Sequence, residues 1–226
     1  SRHASLINFS NHMVYNDDLI VFPSAFETRP DMGVSLTPVQ GRYHSGTNGE
    51  EAATMIDAAL NFMRTNPHRS LGIVTLNQKQ RDLLLEEMEF AVDRDSTASK
   101  YIDRWKERDD GLQTFFIKNL ENVQGDERDV IFIGTVYGPE QPGAPVMQRF
   151  GPINGLAGKR RLNVLFSRAK QQIVTFSSMT AADVRADEHG NPGTYMLKRW
   201  LEYSATGILH TGEPTNREPD SDFEVF

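Results

Sequence analysis

Two charged segments in the second half of the chain hold the residue types that phosphate chemistry uses. The first, Val123-Gln124-Gly125-Asp126-Glu127-Arg128-Asp129, is a polar, glycine-bearing turn that runs into an apolar strand predicted over Val130–Tyr137. The second, Leu162-Asn163-Val164-Leu165-Phe166-Ser167-Arg168-Ala169-Lys170, ends against another predicted strand, Gln172–Ser177. Each brings charge to the edge of a buried parallel strand, where open α/β sheets take their ligands. A guanidinium such as Arg168 can grip phosphoryl oxygens with a planar fork that lysine lacks. Gly125 permits a close backbone approach at its turn.

The charge distribution agrees with that chemistry. Net charge is −7, yet no Asp or Glu falls between Gln141 and Ala182. There Arg149, Lys159, Arg160, Arg161, Arg168 and Lys170 sum to +6, which leaves −13 for the rest. Such a surface suits the phosphates of a nucleotide or of a nucleic acid. Charge alone describes a solvated basic face equally well.

A complete phosphate-binding site is not encoded. Gly155-Leu156-Ala157-Gly158-Lys159 suggests a phosphate loop, but the position five before Gly158 is Ile153, and Arg160 stands where Ser or Thr would hold magnesium. No aliphatic strand ends in paired acids. The six histidines are scattered without metal-ligand spacing, and there is no cysteine, which removes disulfides and cysteine–zinc sites.

The elements that must position these segments follow from periodicity. Helices are predicted over Ala4–Tyr15, Glu50–Arg64, Gln78–Val92 (capped by Asn77), part of Asp95–Gly111, Gly158–Lys170 and Thr194–Tyr203. Strands are predicted over Leu19–Phe22, Val34–Val39, Leu71–Leu76, Thr114–Leu120, Val130–Tyr137 and Gln172–Ser177. Alternating strands and helices imply a parallel α/β sheet covered on both faces. Trp105 and Trp200 read as core residues. Residues 1–206 form the predicted domain, and 207–226 lose periodicity and read as a linker or tail. No stretch is long enough for a membrane span, and the lack of cysteine fits a cytoplasmic location.

The paired segments resemble motifs V and VI of superfamily 1 helicases, in the branch that includes the RNA-surveillance helicases. Gln124-Gly125-Asp126-Glu127 looks like motif V, and Ser167-Arg168-Ala169-Lys170 looks like motif VI. Leu71–Gln80, with Thr75-Leu76-Asn77, is similar to motif IVa, although that motif commonly reads Thr-Pro-Tyr. Ser1–Asn11 followed by Tyr15 looks like motif IV and its helix.

The resemblance implies a RecA-like fold of the P-loop NTPase class: the second motor domain, without a phosphate loop of its own. It implies that Arg168 is an arginine finger and that Glu127 approaches the nucleotide, with Gly125 and Arg2 completing that contact. Thr75, Asn77, Gln80, Asn119 and Asn122 would touch single-stranded nucleic acid, DNA favoured over RNA. ATP and Mg2+ would be held mainly by an N-terminal RecA-like domain of the same protein, and this chain alone would be inactive. It further implies that Ser221-Asp222-Phe223-Glu224 opens another, endonuclease-like domain.

Two alternatives stand beside this one. A non-catalytic nucleic-acid-binding or scaffolding module would keep the fold without the ATPase. A small-molecule enzyme using Gln124–Asp129 would lack any visible nucleophile–base pair.

Overall fold

In the computed structural model, residues 3–20 and 31–209 are described. Five parallel strands form one sheet: β1 (Gly33–Pro38), β2 (Leu71–Thr75), β3 (Phe116–Asn119), β4 (Arg128–Gly134) and β5 (Ala169–Ser177). Their order across the sheet is β1-β5-β4-β2-β3. Among the described residues six helices cover it: α1 (Ala4–Tyr15), α2 (Gly49–Thr65), α3 (Gln78–Asp93), α4 (Ser96–Glu107), α5 (Gly158–Phe166) and α6 (Pro192–Thr206). The parallel α/β architecture is the expected one.

Each face has its own core. One packs Leu6 and Phe9 of α1 with Leu162, Leu165 and Phe166 of α5 and Leu197 and Trp200 of α6. Phe166 stacks on Trp200 at 3.7 Å between centroids, and Trp200 Nε1 donates to the buried Thr175 hydroxyl at 3.0 Å. The other packs Met55, Ala59 and Met63 of α2 with Leu84 and Met88 of α3 and Tyr101 and Trp105 of α4. Both tryptophans lie in these cores.

Local chemistry starts the helices where the sequence asks. Asn48, Asn77, Asp95 and Asn191 accept backbone N–H groups in the first turns of α2, α3, α4 and α6. Gly207 closes α6 in the left-handed region. Gly158 and Gly193 serve packing, because a Cβ on either would collide with the Ile153 carbonyl. The glycine of the phosphate-loop look-alike therefore has a steric purpose.

The structure corrects several boundaries. The helix predicted over Gly158–Lys170 stops at Phe166, and Ala169 already pairs with Arg128 in the sheet. The strand predicted to run to Tyr137 stops at Gly134, because Val136 turns into the left-handed region at φ 68°. Leu19 and Ile20 are not in a strand; the remainder of that prediction, residues 21–22, lies outside the described residues. So do Arg2 and residues 210–226 of the tail.

Two features of the topology position the candidate residues. Link 120–127 carries the chain from β3 across β2 to β4 without a helix, where parallel strands usually need about a dozen residues or more. It crosses tightly because Leu120 and Val123 sink into the α1–α5–α6 core. The helices after β2 and those after β4 also lie on opposite faces. The carboxyl ends of β2 and β4 therefore flank the topological switch point of the sheet, the usual crevice of open α/β domains.

Candidate functional site

The sheet sorts the candidate residues to opposite edges. Glu127 immediately precedes β4 and Arg168 immediately precedes β5, so both sit at the amino edge. These strands are neighbours, and Arg128 N donates to the Arg168 carbonyl at 3.1 Å, which locks the two approaches side by side. Thr75, Asn77 and Asn119 lie at or just beyond the carboxyl ends of β2 and β3. Seven residues of β4 separate the edges, roughly 20 Å at the rise of a parallel strand. The expectation that the charged pair occupies the usual ligand edge is therefore corrected: it lies at the opposite one.

The turn carrying Gly125 and Glu127 is pinned along its length. Glu121 pairs with Arg161 at 3.3 Å, and Lys118 donates to Asp126 at 2.6 Å. The buried Arg128 donates twice to the Thr114 carbonyl, at 2.9 and 2.6 Å, and once to the Glu127 carbonyl at 2.7 Å. Its guanidinium also lies 4.6 Å over the Phe116 ring. Gly125 adopts φ 88°, and a Cβ at this position would meet no atom within 4 Å. Here glycine supplies a left-handed turn, and the space beside it is open.

Arg168 is half-buried and folded onto its own helix. Nε donates to the Val164 carbonyl at 2.8 Å and Nη2 to the Ser167 hydroxyl at 2.9 Å. The charge thus rests at the carboxyl end of α5, where the helix dipole favours a cation. Asp129 is engaged by the Ser70 N–H at 2.9 Å, the Ser70 hydroxyl at 3.0 Å and Gln171 at 3.1 Å. That carboxylate holds the strand starts together.

At the carboxyl edge, three of the residues expected to contact nucleic acid are buried. Gln80 is fully buried; it accepts from Asn48 N and donates to Asn48 O, both at 2.8 Å. Thr75 is fully buried and donates to the Asn77 carbonyl at 2.7 Å. Asn119 is buried as well, with its Oδ1 unpartnered, whereas Asn122 is exposed in the crossing link. Asn77 is half-buried, caps α3 and donates to the Gly46 carbonyl at 2.9 Å.

A hollow of about 660 Å³ opens at the switch point. Asn77, Lys79, Tyr43, Tyr137, Glu140 and Arg149 are among its walls. The two tyrosine rings lie 5.3 Å apart, and the Asn77 side chain lies beside the Tyr137 phenol. Burial pushes both phenols above their usual value, helped at Tyr43 by the Glu140 charge, so both keep their protons at neutral pH. Rings, amide and cations in one hollow suit a base and a phosphate together.

Beneath the hollow lies a network that composition did not announce. Glu51, fully buried in the first turn of α2, accepts the Val136 N–H at 2.9 and 3.1 Å. Asn48 Nδ2 donates to the Val136 carbonyl at 3.1 Å and to Ser178 at 2.9 Å. Desolvation lifts the Glu51 carboxyl to about 8, against the opposing pull of the Val136 N–H and the Thr135 hydroxyl. Among the described residues, no group of three acids or histidines could hold a metal ion, and no helix is long and apolar enough to cross a membrane.

Known proteins resemble the chain at several levels. It is 30% identical over 219 residues to the uncharacterized ATP-dependent helicase MG140 of Mycoplasma genitalium, covering 94% of this chain and 18% of that protein. Its Mycoplasma pneumoniae homolog is 29% identical over 217 residues, with the same coverages. The chain thus spans about a fifth of the length of these relatives. The C-terminal domain of a possible DNA helicase from Lactobacillus plantarum aligns with a TM-score of 0.41 at 11% identity, over 78% of this chain and 87% of that one. The family model described as an AAA domain matches residues 2–180, so the chain belongs to the AAA domain family and is related to bacterial ATP-dependent helicases.

Proposed function

We propose that this chain is the second RecA-like motor domain of an ATP-dependent superfamily 1 helicase. The observation that carries the reading is the side-by-side placement of Glu127 and Arg168 at the amino edge, tied by the Arg128–Arg168 backbone bond. Both residues stand before their strands, on an edge with open space at Gly125. A nucleotide held by another domain could be met there by one guanidinium and one carboxylate.

ATP and Mg2+ fit this edge only as groups held chiefly elsewhere. The phosphate-loop look-alike is closed by packing at Gly158, and the edge offers a fork of positive charge without a cradle. Bound ATP would supply the phosphoryl group. Arg168 would leave Val164 and Ser167 and place its fork on the equatorial oxygens, where charge accumulates during transfer. The two hydrogen bonds given up cost about 1–3 kcal/mol, small beside the roughly 4 kcal/mol that an arginine finger contributes. Glu127, on a turn held by three anchors, would orient the sugar end.

The carboxyl edge would take the single strand. With Gln80, Thr75 and Asn119 buried, contact passes to Asn77 and the hollow of Tyr43, Lys79, Tyr137 and Arg149. Asn122, exposed in the crossing link, would extend that contact. Motion of the domain against its partner would then carry both edges together through the rigid sheet.

ATPase assays of the full-length protein test the reading. Arg168→Ala is expected to abolish strand-stimulated turnover while the 226-residue chain alone shows none. Normal turnover in the mutant, or turnover by the isolated chain, would refute it.

A further inference from the structure

On the α2–α3–α4 side, an apolar groove of about 490 Å³ runs between α3 and α4 beside β3, the last strand of the sheet. It belongs neither to the amino edge nor to the hollow. Met88, Val92, Ile102, Phe115 and Ile117 give it an apolar lining, and Leu85 stands 45% exposed at its lip. Leu85 therefore presents apolar area at the lip of the groove that a partner would bury.

The rim is charged with one dominant sign. Glu86, Glu89, Asp93 and Asp103 stand around the groove against the cation Lys106. Glu86, Glu89 and Asp93 all stand on α3, whereas on α4 Asp103 is offset by Lys106, so the acidic rim runs along the α3 wall. An apolar trough with an acidic rim complements an element with an apolar stripe and basic flanks.

The walls indicate the shape of that element. Ser99, Ile102, Asp103 and Lys106 on α4 follow the i, i+3, i+4, i+7 spacing of one helix face, and Leu85, Met88, Glu89 and Val92 do the same on α3. Two helical walls leave a trough that a third helix fills by ridges and grooves. We infer that this groove is the docking site for a basic amphipathic helix of a protein partner, read through apolar anchors at i, i+3, i+4 and i+7.

Fluorescence anisotropy with the chain and a labelled helical peptide of leucine and lysine, leucines at that spacing, tests it. The lysine peptide binds in a salt-sensitive way, and its glutamate counterpart does not. The triple variant Glu86→Lys, Glu89→Lys, Asp93→Lys, confined to the rim, weakens binding about tenfold or more. Hydrogen exchange then shows protection over α3 and α4. Equal binding of both peptides, unchanged affinity in the triple variant, or protection elsewhere overturns the inference. Protection of the β3 amides alone would mean strand addition to the sheet edge and would also overturn it. Circular dichroism of the variant confirms that any loss arises in a folded chain.

Discussion

The buried Glu51 carboxyl holds the Val136 N–H with both oxygens, at 2.9 and 3.1 Å, while Val136 sits at φ 68°. A β-branched residue rarely takes that conformation, and residues held there cost on the order of 1–3 kcal/mol. The hydrogen bonds from α2 fix the turn, and Tyr137 emerges from it into the hollow. Gly134 is required beside it, because a Cβ there would lie 2.7 Å from the Glu51 oxygen. One helix turn thus sets the shape of the carboxyl edge.

That arrangement makes stability depend on pH. The Glu51 carboxyl is raised from 4.5 to about 8 by burial, so between those values the folded chain binds a proton that the unfolded chain has lost. Stability from this group is complete below about pH 4.5 and falls as pH rises to about 8. The slope approaches about 1.4 kcal/mol per pH unit. Glu51→Gln keeps the shape and removes the titration. Urea unfolding from about pH 5 to about pH 9 should show the wild-type chain losing several kcal/mol relative to Glu51→Gln. Parallel profiles for the two would refute the assignment.

Arg128 is expected to be structural. Its guanidinium closes the Thr114 and Glu127 carbonyls at the start of β4 while buried. Arg128→Ala leaves those acceptors without their donors and should destabilise the chain by about 1–3 kcal/mol for each carbonyl left unpaired. Arg128→Lys should recover only part, since one ammonium cannot reproduce the fork. Thermal unfolding of both variants decides it.

Arg168 should behave in the opposite way. Its two bonds go to its own helix end, so Arg168→Ala should cost no more than about 1–3 kcal/mol of stability. In the full-length protein the same change should lower kcat about a thousandfold with little effect on nucleotide affinity. Arg168→Lys should restore little. A large loss of stability with intact turnover would make Arg168 a helix cap and nothing more.

Much of this was legible in the sequence. Short apolar strands and Asn or Asp caps point to the sheet and most helices, because both signals are local. The place of Glu127 and Arg168 was legible too, since in a parallel sheet a residue that precedes its strand lies at the amino edge; the general rule that ligands sit at the carboxyl edge points the other way. The end of α5 was not, because Ser167-Arg168 carries no glycine or proline and only pairing of Ala169 with β4 stops the helix. Glu51 reads as an ordinary first-turn acid. Its burial depends on Gly134 and Val136, brought from far along the chain. Gln80 looks available for the same reason: its partner, the Asn48 backbone, is a tertiary neighbour.

Gln80 and the hollow give a final, discriminating prediction. Tyr43, Lys79 and Arg149 line open space, whereas Gln80 faces inward. Lys79→Glu with Arg149→Glu should weaken binding of a labelled single-stranded oligonucleotide and flatten its dependence on salt, since each phosphate contact contributes to the slope. Tyr43→Ala should weaken binding by about 1–3 kcal/mol with the slope retained, as loss of a stacking platform does. Gln80→Ala should instead lower stability by about 1–3 kcal/mol, because the Asn48 N–H and carbonyl lose their buried partners. Its salt slope should match the parent's at temperatures where it is folded. If the charge reversals leave the slope unchanged, the strand lies on another surface. If Gln80→Ala keeps full stability and loses binding, the amide reaches the strand after all, and the loop around Asn48 must open for it to do so.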